Sequence, residues 1–364
     1  MDFTLTEAQG DLAGLARRIL GDRVTPETLG PHGSGRTDRA LWTEFGRAGL
    51  IDAGLPSAVG GGGFGVLEQC SVLIELGRAV APLPYLPTVT MAAAALAEFG
   101  RGEHLERLLI PALRGEKVFA VALPDVSVAP GFTAARSASG WRLSGTQTAV
   151  GAAADADALL VPADTADGVV VFVLATDNPG LLVEPQRTVD RGDSALVTLT
   201  GATVPDSALL GDPGAGVAEW LRLRGTTGLC ALQLGVLERA LELTAAHARE
   251  RRQFDAVIGS FQAVRQRLAD AYADVEAVRL TLWQAAWLLS EGEPAAEAVA
   301  TAKFWAAEAG HRVAHTAVHV HGGVGIDTEH ELHRYFVAAK RNEFALGGAT
   351  AQLRALGGLL ASSS

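Results

Sequence analysis

The run RERRQF at residues 249–254 gathers charged side chains just before a turn, and a new helical segment opens near Phe261. An arginine there can clamp a pyrophosphate, because the planar guanidinium donates several hydrogen bonds in a fixed fork. A second feature, HGGVG at 321–325, follows a long helical segment and lets a phosphate or an adenine ring come close to backbone. Alone, each is an ordinary charged helix face or turn. Together, at the ends of bundle helices, they point to a phosphate-bearing ligand of the kind that subunits can share.

Other chemistry-bearing patterns fail on context. GGGGFG at 60–65 satisfies the spacing of a dinucleotide loop, but GRAGLIDAGLPSAV precedes it, a helix end and a loop where a buried strand is required. A tightly turning glycine loop is expected. His311, His315 and His319 share a helix face at i, i+4 and i+8, with no carboxylate in an HExxH arrangement, so packed or interface histidines are expected and no metal. Cys70 and Cys230 are too few for a disulfide framework, and Cys230 with His247 lies in apolar helical surroundings that do not lower a thiol pKa. GxSxG, P-loop and kinase signatures are missing, so neither a hydrolase nor a thiol enzyme is indicated.

The elements that must position these residues fall into three segments. Leu12, Leu15 and Leu20 form a helical stripe behind Thr6, and similar segments follow to about residue 115, with Pro82, Pro84 and Pro87 expected to mark an extended surface connection. Residues 116–215 hold short β-branched runs such as VVVFVLA and LVTLT between turn residues, with no helical pattern between them, which predicts an antiparallel sheet. Residues 216–360 return to long helical periods, and a four-helix bundle is expected. The fold class is therefore α+β. The 364 residues carry a net charge of −11, which disfavours nucleic acid or an anionic membrane as the main partner. No secretory signal and no apolar run of membrane-spanning length is present, so the expected location is the cytoplasm.

The order of segments, with LPSAVGGGGFG, ELGR at 75–78, WRLSG at 141–145, VPDSALLG at 204–211, RERRQF, FQAV at 261–264, AKFWAAEA at 302–309 and HGGVGIDTEHELHRYFVAAK at 321–340, resembles the acyl-CoA dehydrogenase family over about residues 2–360. The resemblance implies a homotetramer or dimer of dimers, with FAD between sheet domain and bundle. It also implies an acyl-CoA thioester substrate and electrons leaving to an electron-transferring flavoprotein. A glutamate would remove the α-proton while the β-hydrogen leaves as hydride to the flavin. By the same resemblance Arg251 matches the arginine reaching the FAD pyrophosphate of a neighbouring subunit, and Phe254 the aromatic residue beside it. Gln262 falls near the flavin contacts, and Gly322 and Gly323 match the pair beside the adenine nucleotide. His319 stands where glutamine is usual.

The departures carry more weight. The usual glutamate position falls at Leu346, and the alternative position of some members near Gly225. Neither is ionisable, and Arg222 and Arg224 stay protonated. Glu343 is a candidate for a displaced base, although a solvent-facing helix carboxylate is the simpler reading. AVALPDVSVAPG replaces the usual flavin and thioester loop, and TAVGA at 148–152 the usual flavin stretch. The leading expectation is a subunit of an α2β2 acyl-CoA dehydrogenase for bulky acyl-CoAs, steroid side chains among them, whose partner chain supplies the base. The alternatives are a self-contained flavoenzyme and a scaffold without FAD.

Overall fold

The computed structural model describes residues 3–25, 28 and 37–362. The chain forms two compact units, one from Met1–Gly33, Cys70–Ala81 and Thr226–Ser364, the other from Ser34–Gln69 and Pro82–Gly225. The three-segment reading divides the chain by secondary structure; compactness cuts across it, because two helices pass from one unit into the other.

In the second unit, α2 (Arg39–Arg47) starts where Asp38 accepts from the Leu41 N–H at 2.9 Å. α1 (Glu7–Arg23), in the first unit, starts in a capping box, Thr6 and Gln9 each accepting from the other's backbone N–H. α3 (Val66–Ala79) follows the glycine loop. That loop is a tight turn, as expected: Gly62 and Phe64 donate back to Asp52 and Ala53, and a Cβ on Gly61 would stand 2.3 Å from the Leu55 carbonyl oxygen.

The proline-rich stretch differs from expectation. Pro84 is buried, Pro87 sits at the start of a π-helical segment Leu86–Ala93, and Tyr85 is buried with its hydroxyl donating to the Leu50 carbonyl at 3.0 Å. Proline's missing N–H is tolerated in a first helical turn, so these prolines open a helix where an exposed connection was expected. The segment continues as α4 (Ala94–Phe99), and a second π-helical piece, His104–Leu109, leads into α5 (Ile110–Leu113).

The sheet contains β1 (Phe119–Val121), β2 (Phe132–Ser137), β3 (Gly140–Gly151), β4 (Ala158–Thr165), β5 (Gly168–Ala175), β6 (Leu181–Gln186), β7 (Ser194–Val204) and β8 (Leu209–Leu210). Its order is β6-β7-β3-β2-β4-β5-β8, with β1 added on β4. The expected all-antiparallel sheet is corrected to a mixed one, because β1 and β2 both pair parallel to β4. Parallel pairing here needs no crossover helix, since the β2–β3 hairpin makes the return. Alternation along the strands sorts two cores. Leu159, Val161 and Phe172 face a cluster with Trp141 and Val197, whereas Leu160, Val171 and Val173 face Leu96, Leu109 and Leu221.

The bundle comprises α6 (Val217–Glu250), α7 (Gln262–Ser290), α8 (Ala296–His321), α9 (Leu332–Phe344) and α10 (Ala349–Ser362), with a small hairpin of β9 (Arg252–Gln253) and β10 (Ala256–Val257). Two glycines bring α3 and α6 into backbone contact: a Cβ on Gly77 would lie 2.1 Å from the Leu232 carbonyl, and one on Gly235 1.9 Å from that of Ile74. Around this crossing Glu75 pairs with Arg17, and Arg78 with Glu238 and Glu242. Buried Gln233 donates to Ala306 and Ala339 carbonyls and so ties α6 to α8 and α9. No helix of the described residues is long and apolar enough to cross a membrane.

Candidate functional site

Three helix ends meet in the first unit. The Arg251 N–H donates to the His247 carbonyl and closes α6, and the Ile258 N–H donates to the Arg251 carbonyl at 2.8 Å, folding the start of α7 back onto that end. Gly259 permits the fold, since a Cβ there would meet the Ala248 carbonyl at 2.8 Å. The hairpin between them turns through Phe254 and Asp255, both in the left-handed region at φ 51° and 61°. Phe254 is consequently thrown outward, 89% exposed, while the Arg252 guanidinium donates to the Asp255 carbonyl.

The end of α8 joins them through imidazoles. His247 stacks on His321 with ring centroids 4.3 Å apart, and His330 stands 5.5 Å from His321. The His321 Nδ1 lies 2.8 Å from the Ala317 carbonyl, so that nitrogen carries a proton and donates. Burial, followed by the mutual charge effect of the histidines and that of Arg251, holds His247 below the ordinary imidazole range; burial likewise depresses His321. Gly322 turns the chain at φ 66°, and Gly325 must be glycine-sized because a Cβ would meet the Val318 Cα at 2.9 Å.

Arg251, Gln262, His319, Gly322 and Gly323 are thus carried on these joined helix ends, and all five are exposed. Cβ atoms on Gly322 and Gly323 would project into open space. An exposed guanidinium, an amide, an imidazole and an open glycine turn suit a dinucleotide with a pyrophosphate, so these residues fit FAD. The histidine stack was not anticipated; the sequence signal for it is His247 one turn before Arg251 and His321 next to Gly322. Among the described residues no group of three His, Cys, Asp or Glu is disposed to hold a metal. Cys230 is buried, and that burial pushes its thiol up to about 12, as an inert core residue.

The base positions are bare of acid. After α9 the chain turns through Leu346 at φ 58° and Gly347 at φ 93°. Ala345, Gly347 and Gly348 flank Leu346, so a shift of one residue in register recovers no carboxylate either. Glu343 is not the solvent-facing carboxylate of the simpler reading: its side chain is 13% exposed, paired with Lys340, and 3.5 Å from the His311 Nδ1. In the second unit, a Cβ on Gly225 would meet the Met91 Cε at 2.8 Å and its sulfur at 3.0 Å, so methionine fills the space where a side chain would begin. The TAVGA stretch has left-handed Ala149 and Ala152, and Gln186 clamps it, accepting from the Ala149 N–H at 2.8 Å and donating to the Thr148 hydroxyl.

The architecture is a helical segment, a mixed sheet and a helix bundle, the class of fold to which known FAD-dependent oxidoreductases can be compared. Residues 6–116 match the family model for the acyl-CoA dehydrogenase N-terminal domain, and residues 213–358 that for the C-terminal domain. The chain is 50% identical to acyl-CoA dehydrogenase FadE27 of Mycobacterium tuberculosis, with 99% of each chain covered, and 31% identical to FadE28 of the same organism, with 98% of each covered. Among solved structures it is similar to the ChsE4-ChsE5 complex from Mycobacterium tuberculosis, at 51% identity, TM-score 0.94 and 99% coverage of both chains. A second is a variant of the Tcur3481-Tcur3483 steroid ACAD, at 40% identity, TM-score 0.92 and 99% coverage of both. This chain belongs to the acyl-CoA dehydrogenase family.

Proposed function

We propose that this chain is the base-free subunit of a heteromeric acyl-CoA dehydrogenase. In this reading a second, similar chain completes an α2β2 assembly and supplies the carboxylate, and the substrate is a bulky acyl-CoA of the steroid type. The observation that carries it is the double absence of an acid: residues 345–348 offer none, and Met91 fills the space beside Gly225. Glu343, the displaced candidate, would have to break its contacts with Lys340 and His311 before serving as a base. The two structures above, one of a two-component complex and one of a steroid enzyme, support the heteromeric and steroid parts of the reading.

The role of this chain is to bind and orient. Arg251 would neutralise pyrophosphate charge, Gln262 and His319 would hydrogen-bond, Phe254 would lie beside the cofactor, and the open Gly322–Gly323 turn would let the adenine-nucleotide end approach backbone. When bound, FAD supplies the hydride acceptor for α,β-dehydrogenation, and an electron-transferring flavoprotein is the proposed onward acceptor. A cytoplasmic location is part of the same reading.

Co-expression with a second, base-bearing acyl-CoA dehydrogenase-like chain tests it. The complex is expected to carry FAD and to dehydrogenate a steroid-type acyl-CoA, while the chain purified alone turns over at least a hundredfold more slowly. Full activity in a homotetramer of this chain would overturn the proposal.

A further inference from the structure

Of the 30 lysines and arginines in the chain only three are lysine: Lys117, Lys303 and Lys340. A lysine amine, unlike a guanidinium, can give up its proton and act as a nucleophile, so it is the side chain that acyl donors modify. Lys303 is closed to that chemistry. It is 1% exposed and donates to the carbonyls of Asn342 at 2.9 Å and Glu343 at 3.0 Å, in the last turn of α9. The Lys117 side chain is 36% exposed, and its ammonium donates to the Asp157 carboxylate at 3.1 Å. Lys340, on α9, is less open at 24% but has a different neighbour.

The Lys340 Nζ lies 3.1 Å from the His311 Nδ1 of α8. An ammonium offers no acceptor, so the imidazole nitrogen accepts and stands within reach of the proton that the lysine must lose before it can attack. Glu343 pairs with the same Nζ and steadies it at the imidazole. Phe344, 63% exposed, has its ring 5.3 Å from Nζ and offers apolar surface to an acyl chain. A nucleophile, a proton acceptor and an apolar seat thus come together on two packed helices.

We propose that Lys340 is a site of self-acylation, at which an acyl-CoA thioester transfers its acyl group to the lysine amine while His311 accepts the proton. The Nζ lone pair forms an amide bond to the thioester carbonyl carbon, the carbon–sulfur bond breaks with its electron pair on sulfur, and the proton passes by way of His311 to the departing coenzyme A thiol. The modified side chain loses its charge, and with it the pairing to Glu343 and the contact with the Phe344 ring.

The test incubates the purified full chain with octanoyl-CoA at mildly alkaline pH and follows each lysine by peptide mass spectrometry. Exposure alone would favour Lys117, whereas the imidazole contact favours Lys340. Lys340 is expected to gain the octanoyl group about tenfold faster than Lys117, and Lys303 to stay unmodified. H311Q is expected to bring Lys340 down to the rate of Lys117 while leaving Lys117 as it was. Should H311Q fail to fold, the ratio of Lys340 to Lys117 in the parent chain decides alone. A parent chain in which Lys117 reacts as fast as Lys340 overturns the proposal, as does an unchanged Lys340 rate in folded H311Q. Only a thioester of the family's substrate class is needed and the readout is a mass, so the outcome is independent of which chain supplies the base for dehydrogenation.

Discussion

The imidazole of His247 lies almost flat against that of His321, 4.3 Å between centroids and 22° between planes. One turn beyond His247 lies Arg251, and directly after His321 the glycine turn begins. The contact thus fastens together the helix ends that carry the FAD-binding candidates, and it does so with two rings whose burial favours the neutral form.

That neutrality makes stability pH-dependent. His247 and His321 both titrate below the ordinary value of 6.5 in the folded chain, chiefly through burial. The unfolded chain then binds more protons in mildly acid solution, so stability rises with pH, is complete above about 6.5 and is lost as pH falls toward the folded values. Glu250 and Glu331 oppose the shift; Arg251 and His330 add to it. The thermal midpoint is expected to fall between pH 7 and pH 5, and H247F to flatten that slope.

Arg251 is expected to matter to cofactor retention more than to folding. Its guanidinium is exposed, and a charge-assisted contact to phosphate contributes about 1.5–3 kcal/mol. R251A should weaken FAD binding by the assembled complex about tenfold to hundredfold with the thermal midpoint of the apo protein unchanged, measured by equilibrium dialysis of the flavin. R251K should recover only part, because lysine lacks the planar fork.

Placing an acid at Gly225 is expected to fail for a steric reason. G225E drives a Cβ onto the flexible end of the buried Met91 side chain, which must move aside, and overpacking of this kind costs up to about 1–3 kcal/mol. Denaturant unfolding should show G225E destabilised, with M91A restoring part of the loss when the two are combined.

The α3–α6 crossing offers a sharper steric test. G235A forces a methyl to 1.9 Å from the Ile74 carbonyl, which is backbone and cannot swing aside. A loss of about 3 kcal/mol is expected by denaturation, against a gain of about 0.5–1 kcal/mol for G10A, whose Cβ meets nothing within 4 Å in the helix α1.

Much of this was legible in the residues. Thr6 announced its helix because capping is a local contest that a side chain oxygen decides within four residues. That RERRQF and HGGVG stand at helix ends was readable from the long helical periods before them, and the structure brings those ends together. The parallel pairing of β1 with β4 was not, since strand direction is set by distant partners while alternation looks the same either way. Pro87 misled because proline stops a helix from within yet opens one at its start, and sequence alone does not say which turn it occupies. The grip of Lys303 on the end of α9 was invisible for another reason: AKFWAAEA reads as any amphipathic helix, and only packing shows that its lysine faces inward.

The parallel strand pair bears on how the chain is made. Phe119 cannot find Ala158 until the intervening β2–β3 hairpin has been synthesised and closed, and β4 must then accept β5 on its other edge. Such non-local closure slows folding. During translation the helical segments before residue 119 therefore leave the ribosome before the strands that cover Leu96 and Leu109 have been made.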